Sequence, residues 1–304
     1  MSEPTDLITI DLMHTGQPWV VASYLLLGEE PALVDPGPAR TLPQLEAGLA
    51  ANGLGVGDLR HILLTHIHLD HAGATGSLLA RNPQLQVYIH ERGAPHMVNP
   101  ERLLSSALRL YGDRMDELWG EMLALDPAAV TTLRGGELLH ISGRTLRVYD
   151  APGHAKHHLI YADQGSSVAF VGDNCGVRLP GHLYARPATP PPDVDIEQWE
   201  ATLTLLSELG PGYLALTHFG IFDDPQEHIA AYRERLRGWA DLVRAGLASG
   251  ATEAEQIAAL RMLAEAEVGG SAEMRDLYQR GGPSEQSWQG LARYWRKRGI
   301  GKRE

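Results

Sequence analysis

Seven residues, Thr65-His66-Ile67-His68-Leu69-Asp70-His71, constrain this chain more than any other stretch. They follow the apolar run His61-Ile62-Leu63-Leu64, which reads as a short buried strand, and precede Ala72 to Ala80, which reads as a small-residue helix. Three imidazoles and a carboxylate are therefore expected where a rigid strand hands over to a loop. Side chains two apart in extended chain share a face, so His66 and His68 can reach one ion together. Asp70 and His71 follow the turn into the helix and aim at a neighbouring point. Asp70 also falls near the helix N-terminus, where the dipole favours a carboxylate. This set suits zinc, and also iron or manganese. A polar turn that happens to be histidine-rich is the alternative, but packing gives no reason for four ligand-type residues in six positions.

The stretch resembles the H-x-H-x-D-H signature of the metallo-β-lactamase superfamily. The resemblance makes three further demands, and the chain meets them in order. A Pro-Gly-His turn is matched by Ala151-Pro152-Gly153-His154, and a strand-Gly-Asp turn by Val168-Ala169-Phe170-Val171-Gly172-Asp173. A late histidine ending a strand is matched by Leu214-Ala215-Leu216-Thr217-His218. Roughly residues 7 to 222 are covered. The implied fold is α+β, a four-layer αββα sandwich with its metal site at the edge between the two sheets. Residues 1–222 would form that domain, with a helical insertion at about 96–125, and 223–304 a helical C-terminal extension.

At 304 residues the chain can bury a full core. Its formal charge of −12 argues against a nucleic-acid surface, because no basic track is present to hold phosphates. One cysteine, Cys175, allows no internal disulfide and fits a reducing compartment. No apolar run approaches membrane-spanning length, and the N-terminus lacks a charged-then-apolar signal, so the expectation is a cytoplasmic protein with no membrane partner. A homodimer is compatible with the sequence.

Strands are expected at Leu7 to Met13, Trp19 to Leu27, Pro31 to Asp35 and Leu85 to His90. Asp35-Pro36-Gly37 reads by itself as a tight turn with a structural role for Asp35; the resemblance implies that such a turn supports the floor of the metal site. Thr41-Leu42-Pro43-Gln44 and Thr252-Glu253-Ala254-Glu255 carry capping signals for helices. Between His96 and Leu125, apolar residues from Leu103 to Met122 recur at helical intervals, which suggests an inserted helix pair; the resemblance implies that such an insertion covers the site mouth, and an ordinary packed helix pair is the alternative. Met97, Met115 and Met122 lie there and suit an adaptable apolar wall. Hairpins are expected around Ser142-Gly143 and Asp163-Gln164-Gly165. Asp195 should cap a helix to about Leu209, and Tyr213 to Leu216 should deliver His218. From Asp223 on the chain is helical, with breaks at Ser249-Gly250, Gly269-Gly270 and Gly281-Gly282-Pro283. Trp288, Leu291 and Trp295 make a stripe that should dock the last helix on the body.

Carried over residue by residue, the resemblance puts His66, His68 and His154 on a first metal. Asp70, His71 and His218 would hold a second, with Asp173 bridging. Two divalent ions, zinc above all, would sit about 3.5–4 Å apart and share a water whose pKa falls toward about 7. Asp70 would be the catalytic proton shuttle. His157 and His158 fall where the pattern has non-ligand residues, and Cys175 reads as a small buried hydrophobe. The implied activity is hydrolysis of an ester-type bond, a thioester or lactone, in a small-molecule substrate. No counterpart of the basic residues that grip glutathione in glyoxalase II is recognisable. Nor does a tyrosine follow Asp173 as in related lactonases, so both substrates stay open. One alternative is a persulfide-dioxygenase-like oxidoreductase with a single iron on His66, His154 and Asp173. Another is a catalytically silent metal-binding protein. Arg178 and Tyr184, close after Asp173, are the expected substrate contacts.

Overall fold

The computed structural model describes residues 6–301. Two six-stranded sheets face one another. The first is β1 (Leu7–Asp11), β2 (Ala22–Leu26), β3 (Ala32–Val34), β4 (His61–Leu63), β5 (Gln86–His90) and β6 (Val130–Leu133), paired in chain order. The second is β7 (Leu138–Ile141), β8 (Arg144–Asp150), β9 (Leu159–Asp163), β10 (Val168–Gly172), β11 (Tyr213–Leu216) and β12 (Gly220–Phe222), also in chain order. Hairpin neighbours pair antiparallel, whereas β3 to β6 run parallel in the first sheet and β10 and β11 in the second. Parallel neighbours need long crossovers, and those crossovers hold the helices that precede β11.

α1 (Leu42–Ala51), α2 (Leu69–Ala72) and α3 (Thr75–Arg81) come first. The crossover from β5 to β6 holds α4 (Ala94–Val98), α5 (Glu101–Tyr111) and α6 (Met115–Leu118), so the helical insertion is the connection that a parallel pair requires. α7 (Ile196–Leu209) joins β10 to β11. After β12 come α8 (Pro225–Ser249), α9 (Glu253–Val268), α10 (Ala272–Gly281) and α11 (Ser284–Lys297).

Three apolar layers stack through this arrangement. Leu45, Leu49, Leu78 and Met97 pack on the outer face of the first sheet with Ile62 and Val87. Tyr24, Leu63, Val148, Tyr161 and Phe170 fill the space between the sheets. Trp199, Leu214, Trp239, Trp288 and Leu291 cover the outer face of the second sheet. The C-terminal helices thus share one core with β11. Burying a side chain such as Leu291 contributes about 1.5–3 kcal/mol. Trp288 and Leu291 are buried and Trp295 half-buried, so the stripe docks α11 on the body.

Capping differs between the two expected sites. Thr252 and Glu255 form a reciprocal capping box at α9. The Thr41 hydroxyl donates instead to the Pro38 carbonyl, because a 3₁₀ turn precedes α1 and consumes it. Asp195 caps α7 by accepting from the Gln198 N–H. Among the described residues no helix is long and apolar enough to cross a membrane.

Candidate metal centre

The C-terminal ends of β3, β4, β10 and β11 open on one edge of the sandwich, and each releases a polar residue there. Asp35 follows β3, Thr65 to His68 follow β4, and Asp70 and His71 lie on α2. His154 comes from the β8–β9 connection, Asp173 follows β10 and His218 follows β11. The sheets are tied at this edge by Leu159 N–H to the Thr65 carbonyl (2.7 Å) and Ala22 N–H to the Thr217 carbonyl (2.9 Å). Two glycines are required by close approach. Gly172 has φ +49°, and a Cβ there would lie 2.6 Å from both His158 Nε2 and Thr65 Oγ1. Gly153 has φ +143°, and a Cβ would lie 2.4 Å from the Trp199 Cα. Side chains cannot be accommodated at either.

Asp35 organises the floor from behind. Its Oδ1 accepts from Thr65 N–H (2.8 Å), and its Oδ2 from Thr65 Oγ1 (2.6 Å), His71 Nδ1 (2.8 Å) and Thr217 Oγ1 (2.9 Å). Three more imidazoles are oriented in the same way. His154 Nδ1 donates to the Ala188 carbonyl (3.0 Å), His218 Nδ1 to the Val20 carbonyl (2.6 Å), and His66 Nδ1 faces Thr65 Oγ1 (3.2 Å). With Nδ1 carrying the proton, each neutral ring presents its Nε2 lone pair inward.

Those lone pairs meet other acceptors. His71 Nε2 lies 3.1 Å from Asp173 Oδ1, and both atoms are buried without a hydrogen-bond partner. His218 Nε2 is 3.3 Å from Asp70 Oδ2, and His154 Nε2 is 3.3 Å from Asp173 Oδ2. His66 Nε2 and His154 Nε2 both stand 3.0 Å from His68 Nδ1, which has at most one proton to share. Converging buried acceptors are costly unless a cation lies between them. Two groups have ligand atoms within 4.8 Å of one another: His66, His68, His154 and Asp173, and Asp70, His71 and His218. All seven residues expected as ligands are therefore brought together, and their imidazole and carboxylate donors fit divalent metal.

The field at this point favours positive charge. Burial opposes a charged His71, but Asp173, Asp35 and Asp70 outweigh it and hold its pKa well above the usual imidazole value. His218 is raised in the same way, with Asp173 and Asp70 overcoming burial. Burial would raise Asp70 and Asp173, yet His71 and the other histidines hold both carboxyls below the usual range. Burial dominates for His66 and His154 and lowers both, His154 to about 4, keeping them neutral as ligands must be.

Above the centre lies a cavity of about 1020 Å³ with His68, Asp70 and Asp173 at its base. Leu103, Ala107, Leu110, Tyr111, Leu118 and Trp119, from the α5–α6 region, form one wall. Met97 and Met122 do not line it; they are buried in the core beneath, with Met115 half-buried against it. The opposite wall comes from α9, α10 and α11 with the Ala188–Pro192 segment. The two walls meet where the Tyr111 hydroxyl reaches the Gln286 side chain.

Arg178 and Tyr184 do not line this cavity, contrary to the sequence expectation. Arg178 is buried, forms a bidentate pair with Asp224 (2.6 and 2.8 Å), and stacks on Phe222. Tyr184 packs edge-on against Tyr278 and donates to Glu267 (3.2 Å). The chain turns away at Gly176, and Val177 then bridges Arg186, so nearness in sequence to Asp173 does not place these side chains at the site. His158 stacks on His66 and accepts from Asp173 N–H through Nε2 (3.3 Å). His157 lines the cavity, and its Nδ1 is buried without a partner. Sequence reasoning missed His14. Asp11 accepts from the N–H groups of Met13 and Trp19 (2.9 Å each) and fixes a turn that places His14 in the cavity, bonded to the Leu118 carbonyl (2.8 Å) and stacked on Trp119. No local signal marks it.

The sequence model of the metallo-beta-lactamase superfamily matches residues 16–218, more than half of the chain. Over its whole length the fold resembles metallo-beta-lactamase family protein TTHA1429 from Thermus thermophilus. The TM-score is 0.71 at 24% identity, covering 97% of this chain and 95% of that one. The metallo-beta-lactamase fold-containing protein ST1585 of Sulfurisphaera tokodaii is 25% identical over 219 residues, 70% of this chain and 78% of that protein, and its structure superposes with a TM-score of 0.70. A hydroxyacylglutathione hydrolase of Cupriavidus taiwanensis is 33% identical over 156 residues, half of this chain and 48% of that protein. With the sandwich, the seven converging residues and the family match in agreement, the chain belongs to the metallo-β-lactamase superfamily and is a hydrolase of that fold.

Proposed function

We propose that the protein uses two divalent metal ions, zinc foremost with iron and manganese sharing the donor preference, to hydrolyse an ester-type bond, a thioester or lactone, of a small molecule. The observation that carries this is the set of Nε2 lone pairs locked toward Asp70 and Asp173 at the base of an apolar-walled cavity. His66, His68 and His154 would hold one ion, Asp70, His71 and His218 the other, with Asp173 between them. Bound there, the ions supply Lewis acidity and a water acidic enough to ionise near neutral pH. The chain's own groups do the rest. Whereas Asp173 faces His154 as well as His71 and His218, Asp70 touches His218 and opens on the cavity, and its contacts lie within the second group. Held ionised by His71 and His218 against its burial, it can accept the proton of the attacking water and pass it to the leaving group. Asp35 keeps His71 oriented through its Nδ1. Leu118 and Trp119 exclude bulk water from the scissile bond.

The similarity to a hydroxyacylglutathione hydrolase, whose name describes cleavage of an acyl conjugate, supports the ester class. A one-iron oxidoreductase would leave the Asp70, His71 and His218 group without a role. The test is metal analysis of protein purified without added metal, with a panel of thioesters, lactones, phosphodiesters and a persulfide. Expected are two ions per chain and turnover of a thioester or lactone that chelation abolishes and zinc restores. Iron-dependent oxygen uptake with the persulfide, or a fully loaded protein inert toward every ester, overturns the reading.

A further inference from the structure

Five arginines line the cavity of a chain whose net charge is −12: Arg102, Arg114, Arg261, Arg275 and Arg280. Three carboxylates share its outer walls, Asp193, Glu265 and Asp276. Asp193 is paired with Lys156 (3.3 Å) and Asp276 with Arg280 (2.7 Å). Arg114 is paired with Glu117 (3.2 Å), and Arg275 donates to the Gly270 carbonyl (2.9 Å). Arg102 and Arg261 are exposed and have no hydrogen bond or ion pair among the described residues. The walls therefore carry five guanidinium groups against three carboxylates, and Arg102 and Arg261 form no ion pair among the described residues, with Glu265 one helical turn from Arg261 on α9. The wall that carries Arg102 also presents the apolar side chains of Leu103, Ala107, Leu110, Leu118 and Trp119 to the cavity.

A cavity that is catalytic at its base, apolar along one wall and cationic toward solvent matches a molecule with the same three zones. We propose that the substrate is an amphiphilic acyl ester or thioester with an anionic group, carboxylate or phosphate, at the end remote from the scissile bond. Arg102 and Arg261 receive that anion. This assignment rests on the hydrolase reading above and names its substrate class. The bond chemistry balances with water alone. Water oxygen bonds to the acyl carbon, the C–S or C–O bond breaks, and its electron pair leaves with sulfur or oxygen, which takes a proton. The products are an acid and a thiol or alcohol. The guanidinium groups take no part in that exchange. They concentrate and orient an anion that the protein's overall charge would otherwise repel.

The test uses the metal-loaded full chain and three thioesters. S-hexanoyl-N-acetylcysteamine is neutral, the hexanoyl thioester of phosphopantetheine carries the anion on the thiol side, and S-adipoyl-N-acetylcysteamine carries it on the acyl side. One anionic compound should show a KM about tenfold below the neutral one, which identifies the side that bears the charge. Arg102→Ala and Arg261→Ala should each reduce that preference about threefold, as expected for exposed charge pairs. The preference should also shrink as salt rises from about 0.05 M to about 0.5 M. Equal KM for all three compounds, or a preference that survives the double variant at unchanged melting temperature, overturns the assignment. Calorimetry with the non-hydrolysable thioether analogues separates the two readings. Arginine-dependent binding without turnover of any ester supports the anion site and removes the ester-hydrolysis reading. Turnover without an anion preference does the reverse.

Discussion

Asp35→Asn changes one atom behind the candidate centre and leaves all seven converging residues in place. An amide has one acceptor oxygen where the carboxylate has two. Set at the Oδ2 position, that oxygen keeps Thr65 Oγ1, His71 Nδ1 and Thr217 Oγ1, but its NH₂ then faces the Thr65 N–H. A buried donor left unpaired costs about 1–3 kcal/mol, and each of the three retained bonds falls from charge-assisted to neutral strength, a loss of about 1 kcal/mol apiece before relaxation. The opposite flip strands three donors and is worse. A destabilisation of about 4 kcal/mol follows, which for a chain of this size, with an unfolding entropy of about 0.6 kcal/mol/K, lowers the melting temperature by about 6 °C. His71 also loses the partner that orients it, and zinc affinity should fall about 10–100-fold. Calorimetric melting with and without metal, and a zinc competition assay, read both quantities. A melting temperature within about 3 °C of the parent together with unchanged zinc affinity would refute the argument that this buried carboxylate organises the floor.

Asp70→Asn should lower kcat far more than it raises KM, since it removes the proposed proton acceptor; equal effects on both would point to lost binding instead. Arg178→Ala should lower stability by about 3 kcal/mol while leaving KM unchanged, because it strands Asp224 and uncovers Phe222; a selective rise in KM would restore it to the substrate site. His228 is buried, its pKa depressed to about 4 by burial and by Arg178 against the hydrogen bond to the Cys175 carbonyl. The unfolded chain binds that proton first, so the contribution is complete above about pH 6.5 and is lost as pH falls toward about 4, a change of about 3 kcal/mol. His228→Gln should flatten stability over that window, and an unaltered slope in urea melts from pH 4 to 7 would disprove the assignment.

The centre was legible because its parts are local. His66, His68, Asp70 and His71 carry their spacing in six residues, and Asp173 and His218 each end an apolar run that can only be a buried strand. Asp35 was legible by itself only as a residue of a tight turn, and the family resemblance supplied its place behind the site, where it accepts from the Thr65 N–H. The cavity was legible on one side only, where the expected helix pair supplies its α5–α6 wall. Its walls come from α5–α6 and from α9–α11, which no pattern relates before they are folded against each other. The arginines of the far wall were invisible in a chain of net negative charge, because composition averages over surfaces that the fold separates. Arg178 was misplaced because distance along the chain was taken for direction in space. His14 had no signal, since its position depends on where Leu118 and Trp119 come to rest.

The meeting of Tyr111 with Gln286 has a consequence for how the protein comes into being. The seven converging residues are all made once His218 has been added, and by then both sheets except β12 can pair. A ribosome releasing the chain in order would expose the floor with only the Ala188–Pro192 part of the far wall made. The wall that selects a substrate arrives with residues Arg261 to Ser287, close to the end of synthesis. Until α10 and α11 dock, the α5–α6 surface faces water with Leu110 and Tyr111 uncovered on one side. A nascent chain stalled between His218 and Arg261 would thus present all seven converging residues without the helices that wall the cavity on its far side.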